Sequence, residues 1–214
     1  MPGRRDSERT TLEAGLAQFG LSTGPGQVDR LLAHLELVRQ WSASYNLVAR
    51  GDLDHLLSRH LLDSLSLVPW LREGDILDAG AGAGFPGIPL AVVKPGVGVW
   101  LVDSAGKKVR FLRHVIRTLG LANVHAVQER VQRFSPAHEF SNITSRAFGS
   151  LRAFADSVRH LATPGTRLLA MKGREPAREL EALPEWVTVE SVHRLEVPGL
   201  DAERHLVVMT VAAR

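Results

Sequence analysis

Two carboxylates and a run of glycines frame the chemistry open to this chain of 214 residues. Asp78 closes the short apolar run Asp75-Ile76-Leu77 and is followed at once by Gly80, Gly82 and Gly84, ahead of Phe85, Pro86 and the apolar segment IPLAVV. Glycines in such a turn let the backbone take positive φ and approach a ligand closely, and a helix behind them offers unpaired N–H groups. The stretch reads as a loop for a nucleotide-type cofactor. Gly82-x-Gly84-x-x-Gly87 matches the dinucleotide pattern G-x-G-x-x-G, which alone is a weak signal. A carboxylate at the strand tip repels a pyrophosphate but attracts the sulfonium and ammonium of S-adenosylmethionine. The next apolar run, VGVWLV, ends at Asp103, about 20 residues beyond the glycines, where a carboxylate can accept hydrogen bonds from ribose hydroxyls. Asp78, Gly80, Gly82, Gly84 and Asp103 are therefore expected to hold S-adenosylmethionine.

These residues need a strand, a turn, a helix and a second strand in that order, and the chain supplies the alternation well beyond them. Strands are predicted over 75–78, 97–102, 123–127, 142–146 and 166–172, with helices over 86–94, 106–119, 149–162 and 175–182 and a short turn near 130–134. Such alternation argues for a parallel α/β sheet with its ligand at the carboxyl ends of the strands. Trp186 to Val197 and Arg204 to Ala212 read as two further strands. The loop PGLDAE between them is too short for a parallel crossover, so they should be antiparallel. The expected fold is α/β, a Rossmann-like class I S-adenosylmethionine-dependent methyltransferase: a mainly parallel seven-stranded sheet, an antiparallel last strand and an N-terminal helical extension. That extension should cover residues 1–70 and the methyltransferase domain 71–214. Residues 1 to 9 look disordered, Thr10 to Phe19 and Gln27 to Trp41 show helical spacing, and a further helical region runs from about Leu53 to Trp70.

Composition removes several alternatives. Cys is absent, which excludes disulfides, thiolate metal sites and the covalent route to pyrimidine C5, where a thiolate must add to the ring. No phosphate loop of the form G-x-x-x-x-G-K-[ST] occurs, and the nine histidines form no metal-binding pattern, so no metal is expected. Nothing resembles a membrane span or a secretory leader, so the expected compartment is cytoplasmic. Of the 26 basic residues four are Lys and 22 are Arg, against 23 acids, which suits a phosphate-binding patch.

The ordered motifs SYNLV (44–48), RHLLDSL (59–65), DAGAGAGFPGIPLA (78–91), LVDSAGKKVRFL (101–112), SRAF (145–148), MKG (171–173) and VPGLDAERHLVV (197–208) closely resemble one family. It is the small-subunit ribosomal RNA methyltransferase G, also called glucose-inhibited division protein B. The resemblance implies a bacterial cytoplasmic enzyme that uses S-adenosylmethionine to methylate N7 of one guanine in 16S rRNA, with the 30S subunit as partner; a monomer is expected. It also implies cofactor contacts at Gly80, Phe85, Val131, Gln132 and Arg146. Lys172 closes the fifth strand at the same sheet edge and Arg204 with His205 begins the last. Arg146 and Lys172 are thus the catalytic candidates and Lys172, Arg204 and His205 the candidates for RNA contact. Arg4, Arg5, Arg50, Arg59, Arg174 and Arg178 are further basic candidates for the RNA backbone. The chain departs from the family at Ser141-Asn142, where an Asp is usual. His60 and Asp63, three apart on a helix, are expected to pair with each other.

Guanine N7 carries an in-plane lone pair, so its methylation demands no general base, in keeping with the absence of the [DNS]-P-P-[YFW] motif of exocyclic-amine methyltransferases. Two other readings share parts of the pattern: a small-molecule methyltransferase, and a non-catalytic rRNA-binding assembly factor.

Overall fold

The computed structural model describes residues 2–146 and 148–211. Two long helices come first, α1 (Pro2–Gln18) and α2 (Gln27–Tyr45). The expected disorder of residues 1 to 9 is corrected for those described, since α1 begins at Pro2; Met1 lies outside them. Ion pairs that a local reading cannot see tie this turn down: Arg9 reaches Asp29, and Glu8 takes the guanidinium of Arg39. Val28, Leu31, Leu32, Leu35 and Val38 of α2 are buried on one face, as their spacing requires.

Arg50–Trp70 is helical but irregular. A 3₁₀ turn (Arg50–His55) leads into a π turn (Leu57–Leu62), the short helix α3 (Asp63–Leu65) and a last 3₁₀ turn ending at Trp70. The wider π winding re-aims the side chains that follow it. His60 and Asp63 consequently do not pair with each other, which corrects the expectation from helical spacing; each binds elsewhere.

The alternating part follows with β1 (Ile76–Ala79), α4 (Gly87–Val93), β2 (Val99–Asp103), α5 (Gly106–Leu119) and β3 (Val124–Gln128). A short turn at Val131–Arg133 precedes β4 (Asn142–Ser145), α6 (Leu151–Val158), β5 (Arg167–Lys172), α7 (Ala177–Glu181), β6 (Val187–Arg194) and β7 (His205–Val211). Helix α5 has the bounds its spacing predicts, closed by Gly120 in the left-handed conformation. The strands lie in the order β3-β2-β1-β4-β5-β7-β6. The first five are parallel, and β7 alone runs against its neighbours β5 and β6. The last strand therefore inserts beside β5 and leaves β6 on the edge. Asn142, in the Ser141-Asn142 pair where the chain departs from the family, grips the Arg72 backbone on both sides: its Oδ1 accepts the N–H and its Nδ2 donates to the carbonyl, each at 2.9 Å.

Both faces of the inner sheet are covered, so β2, β5 and β7 are mostly apolar rather than alternating with polar positions, while the edge strands β3 and β6 are partly exposed. Ile76, Leu101, Leu169, Met171, Leu206 and Val208 face one core with α1, α2, α4 and α5. Leu77, Val102, Leu168, Ala170, Val207 and Met209 face the other with α6. The glycine turn needs its small residues for two different reasons. At Gly84 φ is +86°, and an added Cβ would stand 2.6 Å from Ile88 Cγ1, so the left-handed backbone and the packing both require glycine. At Gly87 the Cβ would meet Leu101 Cδ2 at 2.2 Å and Asp78 Oδ2 at 2.8 Å. Helix α4 can lie this close to β1 only without a side chain there.

His34 ties the extension to this turn. Its Nε2–H donates to the Ala83 carbonyl at 2.9 Å, and the ring is fully buried against Phe85. Burial drives the imidazole down to about 4, against an ordinary value near 6.5. Its folded pKa lies below the unfolded one, so its contribution to stability is present above about pH 6.5 and is lost as pH falls toward 4. His34→Leu leaves the Ala83 carbonyl without a donor and should cost about 1–3 kcal/mol at neutral pH. Urea unfolding of both proteins at pH 5 and pH 8 checks this: the gap between them should narrow at pH 5. An equal gap at the two pH values rules out His34 as the titrating group.

Candidate active site

Two cavities open at the carboxyl ends of the strands, on either side of the point where β1 turns from pairing with β2 to pairing with β4. That reversal is where open α/β sheets bind ligands. The first cavity, about 440 Å³, is lined by Ala79, Gly80, Asp103, Lys108, Val131, Gln132 and Phe148 among others. The second, about 380 Å³, is lined by Asp52, Arg59, His60, Asp63, Arg146, Met171, Lys172 and Arg204 among others. Arg146 faces the second and Phe148 the first, so the end of β4 divides them.

The first cavity suits a nucleoside. Asp103 is held by its own loop: Oδ2 accepts the Gly82 N–H at 3.0 Å, Oδ1 accepts the Ala105 N–H at 2.8 Å, and Lys108 Nζ stands 3.6 Å away. Each carboxylate oxygen keeps acceptor capacity for a ribose hydroxyl. Gln132 donates to Ser157 Oγ at 2.9 Å, which fixes its amide and leaves its oxygen as an acceptor beside Val131. The cavity thus gathers acceptors and apolar surface of the kind an adenosine portion needs.

Asp78 stands differently from expectation. It shares a sheet face with Ile76, under α4, and its Oδ2 accepts the Gly87 N–H at 2.8 Å. It is 1% exposed and lines neither cavity, while its Oδ1 has no partner. Burial pushes the carboxyl up to about 7. The expectation of a carboxylate facing the cofactor's cations is corrected here: the second acid of the pattern, Asp103, lines the cavity, and the first braces the turn. Gly82, Gly84 and Phe85 also stand behind the cavity. Phe85 is 3% exposed, packs against His34 and His60, and carries the Arg146 guanidinium 5.4 Å above its ring.

The second cavity is built on a charge network that joins four remote segments. Arg146, at the end of β4, donates to His60 Nδ1 at 2.7 Å and to the Arg59 carbonyl at 3.2 Å, and stands 3.5 Å from Asp63. Arg204 donates through Nε to Asp63 at 3.1 Å. His60 in turn donates through Nε2 to Asp52 at 3.3 Å, and Arg59 holds the other Asp52 oxygen at 2.6 Å. Burial first, and then the Arg146 charge, push the His60 imidazole down to about 4. It is neutral, with its tautomer fixed by a donor on one nitrogen and an acceptor on the other. Burial raises the Asp63 carboxyl against the opposing pull of the two guanidiniums. Lys172 lies opposite, bound to Glu179 at 2.8 Å and to the Gly149 carbonyl at 3.3 Å.

Of the candidates read from sequence, Gly80, Asp103, Val131 and Gln132 meet in the first cavity and Arg146, Lys172 and Arg204 in the second. His205 lies beside Lys172 across the β5–β7 ladder but lines neither cavity. Asp52, His60 and Asp63 also gather at the second cavity; sequence reading set His60 and Asp63 aside as a helical pair and did not single out Asp52, although the RHLLDSL motif was an available signal. Among the described residues no group of three His, Asp or Glu could hold a metal ion.

Comparison with known proteins adds an independent line. The family model described as rRNA small subunit methyltransferase G matches residues 27–207. A Pseudomonas aeruginosa protein named ribosomal RNA small subunit methyltransferase G is 47% identical over 203 residues, 94% of this chain and 95% of that one. A Chromobacterium violaceum protein of the same name is 47% identical over 201 residues, 94% of this chain and 96% of that one. Among solved structures, a glycopeptide N-methyltransferase complexed with S-adenosylmethionine superposes with a TM-score of 0.60 at 12% identity, covering 72% of this chain and 88% of that one. TrmN from Thermus thermophilus gives 0.56 at 20% identity over 73% and 53%. These last two likenesses show the fold, a Rossmann-like methyltransferase sheet.

The two cavities should separate in mutagenesis. Asp103→Ala removes a charged acceptor and should weaken S-adenosylmethionine binding on the order of tenfold or more, measured by calorimetry. Asp63→Asn should leave that affinity within about twofold yet lower methyl transfer by at least about tenfold, because two buried guanidiniums lose their shared counter-charge. A cofactor affinity that falls equally in both variants contradicts this division.

Proposed function

The chain belongs to the rRNA small subunit methyltransferase G family, and from that premise we propose that it transfers the methyl group of S-adenosylmethionine to N7 of one guanine in 16S rRNA. Membership makes it an S-adenosylmethionine-dependent methyltransferase of small-subunit rRNA. The base, the atom and the residues that serve them are the proposal, together with the 30S subunit as the form presented and a monomer as the working state.

When bound, S-adenosylmethionine supplies an electrophilic methyl on a sulfonium. In the proposed arrangement Gly80, Asp103, Val131 and Gln132 hold its nucleoside in the first cavity, and the guanine enters the second. Arg146, Arg204 and Lys172 then orient the base and its phosphates by donation. The single observation that carries the choice of N7 is that, among the described residues, each His, Asp and Glu at the second cavity is already engaged by a cation. The His60 lone pair is taken by Arg146, Asp52 by Arg59 and His60, Asp63 by Arg146 and Arg204, and Glu179 by Lys172. A nucleophile that needs deprotonation would find only groups already engaged by a cation or a neighbouring donor; N7 needs none. Catalysis then rests on in-line placement. The same reading treats residues 1–70 as an extension that serves the 71–214 methyltransferase domain, since Asp52, His60 and Asp63 all come from it.

Small subunits from cells lacking the activity, incubated with labelled S-adenosylmethionine, should acquire a methyl on one guanine whose strand then cleaves after borohydride reduction and aniline treatment, as N7-methylated guanine does. Label on an exocyclic amine or on ribose sinks the N7 assignment. No label on any rRNA sinks the catalytic reading. The rate of the methyl-transfer step, in single turnover, should be flat from about pH 6.5 to 8.5, because no titrating base takes part. A rise with a midpoint near 7 that persists in Asp78→Asn, which removes the buried carboxyl raised to about 7, points instead to a general base.

A further inference from the structure

We infer that the solvent face of α5 is a second rRNA contact surface, outside both cavities, that binds the phosphate backbone flanking the target loop. The inference rests on the rRNA reading above and extends it to a part of the chain that the reading does not use.

Helix α5, GKKVRFLRHVIRTL, holds five Lys and Arg residues and no acid. Without those five the chain keeps 21 of its 26 basic residues against 23 acids, so this one helix carries the whole positive excess. At about 100° per residue, Lys107, Arg110, Arg113, His114 and Arg117 fall within an arc of roughly 120°. Val109, Phe111, Leu112, Val115 and Leu119 are buried on the other side. Lys107, Arg110, Arg113 and Arg117 are exposed.

Structural accounts of these charges do not fit. Among the described residues only Lys108 of this helix finds a carboxylate, Asp103 at 3.6 Å. Other helices pair several of their arginines, Arg4 with Glu8, Arg9 with Asp29, Arg152 with Asp156, and leave only single ones such as Arg30 and Arg178 without a carboxylate among the described residues, whereas α5 leaves a whole row. Lys107 and Lys108 also stand in the first turn, which has no acidic residue, where the helix macrodipole disfavours positive charge. A helix built for stability alone carries acids there. The helix starts beside the first cavity, which Lys108 on its other side lines, and its cationic face runs away from that end for about 21 Å at 1.5 Å per residue. Unpaired, solvated guanidiniums along that length suit a phosphate backbone, which releases counterions when it is neutralised.

The test is Arg110→Gln/Arg113→Gln/Arg117→Gln in the full chain, with small subunits as substrate. Binding should fall on the order of tenfold at 0.15 M salt, and the slope of log K against log salt should shrink by about 2, at roughly 0.7–0.9 per lost phosphate contact. KM for the subunit should rise in step while kcat at saturating subunit, S-adenosylmethionine affinity and Tm stay at wild-type values. The triple Lys variant at the same positions should keep the slope. Wild-type KM and slope in the Gln variant overturn the inference, as does a fall in kcat or Tm without a change in slope. Failure of the wild-type chain to methylate rRNA at all is a different result: it removes the underlying reading, and this surface with it.

Discussion

One buried carboxylate sets the geometry of the catalytic edge. Asp63 is 2% exposed and receives Arg204 from the start of β7 and Arg146 from the end of β4. Taking these charges out of water is costly, and the cost is recovered only while all three remain together; losing one partner strands a charge in a dry site. Asp63 sits on α3, whose placement depends on the π turn before it. A carboxylate from the helical extension therefore fixes two arginines of the sheet, and His60, held by Asp52, separately fixes the direction of the Arg146 donors. His34 does the equivalent for the glycine turn through the Ala83 carbonyl. The extension is thus structural for both cavities, not an attachment beside them.

The parts of this arrangement set by local periodicity were legible in the sequence. Helix α5 shows its apolar stripe and its terminal glycine, and the β6–β7 loop is too short for anything but an antiparallel return. Ends of strands were legible as places, which is why Gly80, Asp103, Arg146 and Lys172 do reach the cavities. Facing was harder. Asp78 and Asp103 both close apolar strands, but the close approach at Gly87 draws Asp78 under α4 and leaves Asp103 to the cavity. Residues 2 to 9 have no apolar stripe; their helix is held by partners about 20 and 31 positions away in sequence. His60 and Asp63 were misread because helical spacing assumes α winding, and the chain is wound differently just there.

The charges divide by task. The nucleoside-sized cavity offers Asp103 and backbone, and the adjoining cavity offers arginines whose counter-charges are already in place. Arg59, Arg146 and Arg204 face Asp52 and Asp63, and Lys172 faces Glu179. This leaves one unit of positive charge across the cluster rather than four. The balance matters for the proposed reaction, because methylation at N7 moves positive charge from sulfur onto the purine. A bare set of four cations around the base would hold RNA phosphates well but would oppose that movement by several kcal/mol at short range in a partly dry site. With carboxylates locked behind them, the same side chains keep their directed N–H donors and lose most of their field. Orientation is retained while the repulsion is removed, and the buried acids of the extension are what make the two compatible.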